Sequence, residues 1–187
     1  MAEQVCPVWI GYFLASPLRK LFQNPNRMLA PYLNRGKKVL DVGPGMGFFT
    51  LPMAEMVKPD GKIFCVDIQK KMLEKLETRA NKKGLGDYIE TIECTGETLN
   101  LDSLKNQIDF ALVFAVLHEV PDQQSFLREI FEAIVPGGIV LLSEPKGHVT
   151  EAAFEKSLDI ATSVGFKPEA CPSISRGLSV VMTKPLN

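Results

Sequence analysis

The sequence lacks a basic excess, and its cysteines have no metal-ligand spacing. Lysine and arginine total 21 and aspartate and glutamate total 22, so the formal net charge is −1. Proteins that hold nucleic acid by neutralising phosphates usually carry a basic surplus, so we expect no stable nucleic-acid binding. The cysteines at positions 6, 65, 94 and 171 form no C-x-x-C pair and no zinc-ligand pattern. This argues against a zinc site or a redox motif and favours a reducing, cytoplasmic compartment.

The sequence also lacks a targeting segment and a long apolar run. The uncharged stretch 5–14 has no basic leader and is too short to cross a bilayer, so we expect no signal peptide and no membrane span. The chain has 187 residues, of which 45% are hydrophobic and 23% charged. This length and composition predict one folded domain with a real core and at most a small appendage.

From residue 38 onward, short apolar runs alternate with amphipathic stretches. The runs 39–42, 63–66, 110–116 and 139–142 are apolar on both faces, which is typical of parallel strands covered by helices, and 89–94 is a weaker strand. Helical stripes occupy 69–83, 125–135 and 151–164, with stops at Gly84, at Pro136-Gly137-Gly138 and at Gly165. The alternation predicts a doubly wound α/β sheet with right-handed crossovers. Two further strands, 166–170 and 178–183, have no helix between them and should pair antiparallel.

The segment between the first strand and the first helix of this sheet is rich in glycine. It reads Val-Leu-Asp-Val-Gly-Pro-Gly-Met-Gly-Phe-Phe-Thr over residues 39–50. Glycines at the carboxyl end of a parallel strand let the backbone approach a ligand, and the next helix presents unpaired N–H groups to it. Asp67 ends the second strand roughly twenty residues farther on, where an acid can bind the two hydroxyls of a ribose. Phe48 stands where a nicotinamide-binding loop has its third small residue.

The glycine spacing G-x-G-x-G, with Asp41 just ahead of it, resembles motif I of the class I S-adenosylmethionine-dependent methyltransferases. The resemblance extends over about residues 38–184, and the most similar branch is that of the small-molecule, ubiquinone/menaquinone-biosynthesis-like enzymes. It implies a Rossmann-like methyltransferase fold, with a mostly parallel seven-stranded sheet and an antiparallel C-terminal strand. It also implies an S-adenosylmethionine-binding domain at 38–187 and a helical lid segment at 1–37. In that segment Trp9, Tyr12 and Phe13 form either an aromatic lid or part of the core.

The resemblance assigns cofactor contacts to residues at the ends of the first four strands. These are Asp41, Gly43, Gly45, Asp67, Ile68, Gly96, Glu97, Thr98, Phe114 and Leu117. Motif I would line the methionine part of the cofactor, Asp67 would take the ribose hydroxyls, and Ile68 would lie against the adenine. Glu97 would face the adenine amino group, while Phe114 and Leu117 would border the activated methyl. The alternative is that Asp41 is a satisfied loop residue and Asp67 only caps the next helix.

The two histidines follow adjacent strands on the expected acceptor side. His118-Glu119 follows the fourth strand, and His148 lies in the segment 144–148 after the fifth. Because imidazole titrates near neutrality, either histidine could accept a proton from an O–H, S–H or N–H nucleophile, and His118 lies nearest the methyl. We therefore take His118, Glu119 and His148 as candidate catalytic residues, with packing or capping as the alternative for each histidine. Glu144 could join them in a metal site, but the acidic pattern of metal-dependent catechol-type methyltransferases is missing, and we expect no metal.

These observations favour transfer of a methyl group from S-adenosyl-L-methionine to a small-molecule acceptor. Residues 115–118 read Ala-Val-Leu-His, where nucleobase amino-methyltransferases carry Asn/Asp-Pro-Pro-Tyr/Phe, which argues against base methylation. Two alternatives remain. One is a non-catalytic S-adenosylmethionine-binding regulatory or partner subunit, and the other is a protein or RNA methyltransferase that takes its specificity from a partner. The sequence leaves the oligomeric state open.

Overall fold

The structure is a computed structural model that describes residues 23–174 and 177–186. The strands are β1 (Lys38–Val42), β2 (Lys62–Asp67), β3 (Ile89–Glu93), β4 (Ile108–Phe114), β5 (Ile134–Glu144), β6 (Lys167–Ala170) and β7 (Leu178–Thr183). The α-helices are α1 (Pro25–Leu29), α2 (Thr50–Val57), α3 (Lys70–Lys82), α4 (Gln123–Ala133) and α5 (Glu151–Val164). Short 3₁₀ turns occupy Gly86–Tyr88, Asp102–Leu104 and Leu117–Glu119.

The seven strands form one sheet in the order β3-β2-β1-β4-β5-β7-β6. Strands β1 to β5 pair in parallel, and β7 is antiparallel to both of its neighbours, β5 and β6. The predicted fold class and the antiparallel pairing of the tail are confirmed. The carboxyl ends of β1, β2, β4 and β5 consequently meet at one edge of the sheet, where ligands bind in folds of this kind.

Alternate residues of each strand enter apolar layers on opposite faces of the sheet. Leu40 and Val42 of β1 pack into a layer that includes α4 and α5, whereas Val39 packs into a layer that includes α1, α2 and α3. Both layers consist largely of fully buried side chains. The continuous apolar runs of the sequence therefore reflect strands that are covered on both faces.

The Pro136-Gly137-Gly138 segment does not end helix α4, as we had predicted, but lies inside β5. The helix ends at Ala133, and β5 begins at Ile134 and continues past an irregularity in its pairing with β4. Lys184, which follows β7, explains why helix α4 ends at Ala133. Its Nζ atom donates to the carbonyl oxygens of Phe131 and Ile134 at 2.9 and 2.8 Å. The backbone of Lys184 also exchanges hydrogen bonds with Gly137 and Gly138. Because these contacts join residues that are far apart in the sequence, a local sequence pattern could not predict them.

The described part of the N-terminal segment packs on the sheet. Helix α1 begins at Pro25, because Asn24 accepts a hydrogen bond from the Arg27 N–H as its N-cap. Leu29 is buried, and Tyr32 stacks on Phe110 with 5.6 Å between ring centroids. The aromatic residues at 9, 12 and 13 lie outside the described residues. Across residues 23–174 and 177–186, we find no helix with the length and apolar character that a membrane span requires.

Candidate functional site

The glycine-rich loop leaves β1 at the carboxyl edge of the sheet. Gly43 has a φ of +68°, and a Cβ at this position would lie 2.4 Å from Cγ2 of Val116. Gly45 also has a positive φ, +53°, but no heavy atom lies within 4 Å of its ideal Cβ position. The loop is thus packed against the β4 end at Gly43 and open at Gly45, which leaves a backbone surface that a ligand can approach.

Asp41 lies beneath this loop and is almost completely buried. The hydroxyl of Thr50, the first residue of α2, donates to its carboxyl group at 2.6 Å. Burial raises the pKa of Asp41 from 3.8 to about 7, against the lowering effect of the Thr50 hydrogen bond. Asp41 therefore ties the end of β1 to the start of α2 from below. Its predicted contact with the cofactor is not tested by this geometry and stays a prediction.

A second support of the loop comes from helix α3. The guanidinium of Arg79 donates to the carbonyl oxygen of Met46, and partial burial lowers the pKa of Arg79. Sequence reasoning missed Arg79, because it lies on the polar side of a helical stripe and contacts a residue 33 positions away.

Asp67 ends β2 beside the open part of the loop. Burial raises the pKa of Asp67 to about 6, and hydrogen bonds from the backbone N–H groups of Gln69, Gly45 and Ile68 oppose the rise. The N–H of Gln69 lies 2.8 Å from Oδ1. The N–H of Gly43 donates to the carbonyl oxygen of Val66 at 2.9 Å, which joins the glycine loop to the residue before Asp67. The neighbouring Ile68 is 40% exposed, one of two large apolar side chains that are exposed among the described residues.

The turn after β3 contains the predicted residues Gly96, Glu97 and Thr98, all of which are exposed. The Thr98 hydroxyl donates to Glu129 of α4 at 3.0 Å, and the same carboxylate accepts the N–H of Leu99. Helix α4 thus holds this turn in place through Glu129. The expected contact of Glu97 with an adenine is not tested by this arrangement.

The end of β4 carries strained backbone and an aromatic contact. Phe114 is half-buried, and its ring centroid lies 4.7 Å from that of Phe49 in the glycine loop. Ala115 has a φ of +57°, a conformation that costs a residue with a Cβ about 1–2 kcal/mol, and its N–H donates to Ser143 of β5. Leu117, by contrast, is 1% exposed and packs into the core.

His118 and Glu144 form a pair across the ends of β4 and β5. The Nδ1 atom of His118 lies 2.5 Å from Oε2 of Glu144, and the N–H of Leu117 donates to Oε1 at 2.8 Å. Glu144 is 2% exposed and His118 is 20% exposed. Burial raises the pKa of Glu144, and the charge and hydrogen bond of His118 oppose that rise. Sequence reasoning placed both residues at this edge but did not predict their pairing.

Glu119 and His148 complete the polar cluster around His118. Oε1 of Glu119 lies 4.0 Å from Nε2 of His118, and the rings of His118 and His148 are 5.5 Å apart. Burial raises the pKa of Glu119, whereas the two histidines lower it. The structure thus brings together the three predicted catalytic residues. No three His, Cys, Asp or Glu side chains within the described ranges are arranged to hold a metal ion.

Three features therefore lie at this edge of the sheet. They are the open glycine loop, the Asp67 carboxylate with the apolar side chain of Ile68 next to it, and the His118 imidazole paired with the buried Glu144 carboxylate. The loop and Asp67 can hold a nucleoside, since they offer backbone groups, an acceptor for hydroxyls and an apolar surface. The His118 imidazole, which is partly exposed, can exchange a proton with a second molecule bound on the β4–β5 side.

Comparison with known proteins agrees with this geometry. The chain matches the family described as "Methyltransferase domain" over residues 33–174. It is 31% identical over 112 residues to demethylmenaquinone methyltransferase of Geobacillus sp. (strain WCH70), over 60% of this chain and 47% of that protein. It is 29% identical over 128 residues to tRNA 5-carboxymethoxyuridine methyltransferase of Escherichia coli (strain K12), over 68% of this chain and 48% of that protein. The chain thus spans about half the length of the curated relatives it matches.

A solved structure extends the agreement to the fold. A SAM dependent methyltransferase from Aquifex aeolicus superposes with a TM-score of 0.85 at 23% identity, covering 96% of this chain and 100% of that one. The resemblance to class I S-adenosylmethionine-dependent methyltransferases is confirmed at the level of family and fold. The family match extends over most of the chain and includes the glycine loop, Asp67 and the His118–Glu144 pair, so the protein belongs to the family of methyltransferase domains.

Proposed function

We propose that this protein transfers a methyl group from S-adenosyl-L-methionine to a small-molecule acceptor. The observation that carries the proposal is the position of Asp67 beside the open glycine loop, which the Gly43 N–H joins to Val66, at the edge where β4 and β5 place His118. The bound cofactor supplies a methyl group that its sulfonium has already activated. The protein then has to orient the acceptor, exclude water and manage one proton.

The residues on the cofactor side fit the nucleoside part of S-adenosylmethionine. Asp67 offers a carboxylate to the ribose hydroxyls, and Ile68 offers exposed apolar surface to the adenine. The backbone at Gly43 and Gly45 borders the methionine part, and Asp41 supports it from below. We keep Gly96, Glu97 and Thr98 as adenine-side residues and Phe114 and Leu117 as neighbours of the methyl group.

On the acceptor side, we propose that His118 removes a proton from the nucleophile, with Glu119 and His148 as its polar neighbours. We also propose that segment 1–37 covers this side as a lid on domain 38–187. Residues 23–37 support this in part, because Leu29 and Leu33 anchor the end of that segment in the core. A cytoplasmic location belongs to the same proposal and is supported by the free thiols of Cys65, Cys94 and Cys171.

Two observations favour a small-molecule acceptor. The formal net charge of the chain is −1, and several relatives are named for demethylmenaquinone. The second candidate is a tRNA acceptor, because another relative is named for a tRNA nucleoside. The formal net charge of −1 offers no general surplus for binding phosphates, which makes tRNA the weaker candidate.

The experiment combines calorimetry with methyl labelling. S-Adenosylhomocysteine should bind the full chain, and Asp67→Ala should lose most of that affinity because the ribose loses its acceptor. The methyl-labelled cofactor is then incubated with a small-metabolite extract and, separately, with total tRNA. Label in a small product supports the proposal, and label in tRNA favours the second candidate. Binding without any labelled product would point to a non-catalytic subunit, and absence of binding would refute the proposal.

A further inference from the structure

The buried carboxylate of Glu144 lies against one ring nitrogen of His118. Glu144 accepts the N–H of Leu117 on Oε1, and its Oε2 lies 2.5 Å from Nδ1 of His118. Because an ionised carboxylate only accepts hydrogen bonds, the ionised form of Glu144 requires Nδ1 to be the donor. In the neutral imidazole, Nε2 is then left without a proton and can accept one.

The groups that face His118 are consistent with this assignment. Glu144 of β5 is on the Nδ1 side, Glu119 of the same turn is 4.0 Å from Nε2, and His148 packs beside the ring from the segment after β5. The negative charge of Glu119 also raises the pKa of Asp67.

The His118 turn is held rigidly enough for such a role. The side-chain amide of Gln123 donates to the carbonyl oxygen of Leu117 at 3.1 Å, and Ser157 of α5 donates to the side-chain oxygen of Gln123 at 2.8 Å. With Glu144 on its N–H, the backbone of Leu117 is fixed on both sides. A base must be held in place to contribute to catalysis, and these contacts supply that restraint.

We infer that Glu144 is a positioning residue that keeps Nε2 of His118 free to accept the proton of the acceptor. The inference rests on the proposed function. In the step, a lone pair on the nucleophilic atom of the acceptor forms the new bond to the methyl carbon. The carbon–sulfur bond of S-adenosylmethionine breaks, and its electron pair stays on sulfur. The acceptor proton moves to Nε2, which leaves an imidazolium beside the Glu144 carboxylate, S-adenosylhomocysteine and the methylated acceptor.

The test is the tautomer of His118, measured by two-bond ¹H–¹⁵N correlation NMR on the full, labelled chain. The chain has two histidines, and His148→Asn assigns their signals. Wild-type protein should show Nδ1 protonated and Nε2 bare. In Glu144→Gln, the carbonyl oxygen can keep the Leu117 hydrogen bond while the amide donates to Nδ1, so the proton should move to Nε2. Glu119→Gln is the matched control and should keep the wild-type tautomer. A protonated Nε2 in wild-type protein would overturn the inference, and so would an unchanged tautomer in Glu144→Gln.

Two further measurements separate this inference from the proposed function. Glu144→Gln should bind S-adenosylhomocysteine within about twofold of wild type, because the exchanged side chain is 2% exposed and contacts Leu117 and His118. Its kcat should fall about 10²–10⁴-fold, the usual contribution of a base held in the right tautomer, and a kcat within about twofold of wild type would overturn the inference. If wild-type protein fails to bind S-adenosylhomocysteine, the proposed function is wrong, while the tautomer result still decides the role of Glu144.

Discussion

Asp41 is a buried carboxyl group next to the glycine loop, and Asp41→Asn replaces it with an amide that does not titrate. The variant keeps a side-chain oxygen that can accept the hydrogen bond of Thr50, so the support of the loop is largely preserved. Since aspartate and asparagine have nearly the same size, the main change is the loss of a proton-binding group in a fully buried site.

The magnitude follows from the pKa of Asp41 in the folded protein, about 7, compared with an ordinary value of 3.8. At about 1.4 kcal/mol per pH unit, this difference corresponds to about 4 kcal/mol. Between these two pH values the folded state holds a proton that the unfolded state has released, so rising pH lowers the free energy of unfolding. Above about pH 7 both states are ionised and the loss is complete.

The assay is urea unfolding of wild type and Asp41→Asn at several values between about pH 4 and pH 8. Groups remote from Asp41 titrate alike in both proteins, so their contributions cancel in the difference between the two free energies of unfolding. As the pH rises over this range, the free energy of unfolding of the wild type should fall by about 4 kcal/mol relative to that of Asp41→Asn. Asp60→Asn makes the same chemical change at an exposed position and serves as the matched control. Parallel pH curves for wild type and Asp41→Asn would refute the argument that burial controls this carboxyl.

Three predictions concern binding and catalysis. Gly45→Ala should weaken S-adenosylhomocysteine binding at least tenfold by calorimetry. Gly36→Ala, whose φ of +83° is also positive and whose surroundings are also open, should lose only the about 1 kcal/mol of stability that both variants share. Equal affinities would remove Gly45 from the site. Affinity for S-adenosylhomocysteine should be constant above about pH 7 and fall about tenfold per unit below pH 6, as Asp67 becomes protonated, and a flat profile would contradict the ribose assignment. His118→Ala should lower kcat about 10²–10⁴-fold with affinity for S-adenosylhomocysteine within about twofold, and a kcat within about twofold of wild type would exclude His118 as the base.

The fold was largely predictable, because its strands are buried on both faces and its helices on one. Helix α5 runs from Glu151 to Val164 as predicted, since the Thr150 side chain caps its first turn and Gly165 adopts a positive φ at its end. Asp67 and His118 could be placed at the carboxyl edge for a similar reason, as strand ends are visible in the sequence. Cys65 and Cys94 lie beside apolar residues in the sequence, and both are buried in the structure.

The contacts that make the site work were not predictable from local patterns. His118 and Glu144 are 26 residues apart, and they meet because β4 pairs with β5 in the register that sets Phe114 opposite Ser143. Register across a sheet depends on the packing of the whole core, and a periodic pattern in one strand does not specify it. The same applies to the support that Glu129 gives to Leu99, which also spans 30 residues.

The position of β7 between β5 and β6 has a consequence for the order in which a nascent chain can fold. Glu144 pairs with Leu178, so one edge of the strand that carries Glu144 is completed by a segment that leaves the ribosome later than any other strand described. Until then, the backbone groups along that edge of β5 have no strand partner, and such an edge attracts other chains. The glycine loop and Asp67, by contrast, depend on β1, β2 and β4, which are all made earlier. Co-translational folding would therefore assemble the cofactor side first and the His118–Glu144 pair last.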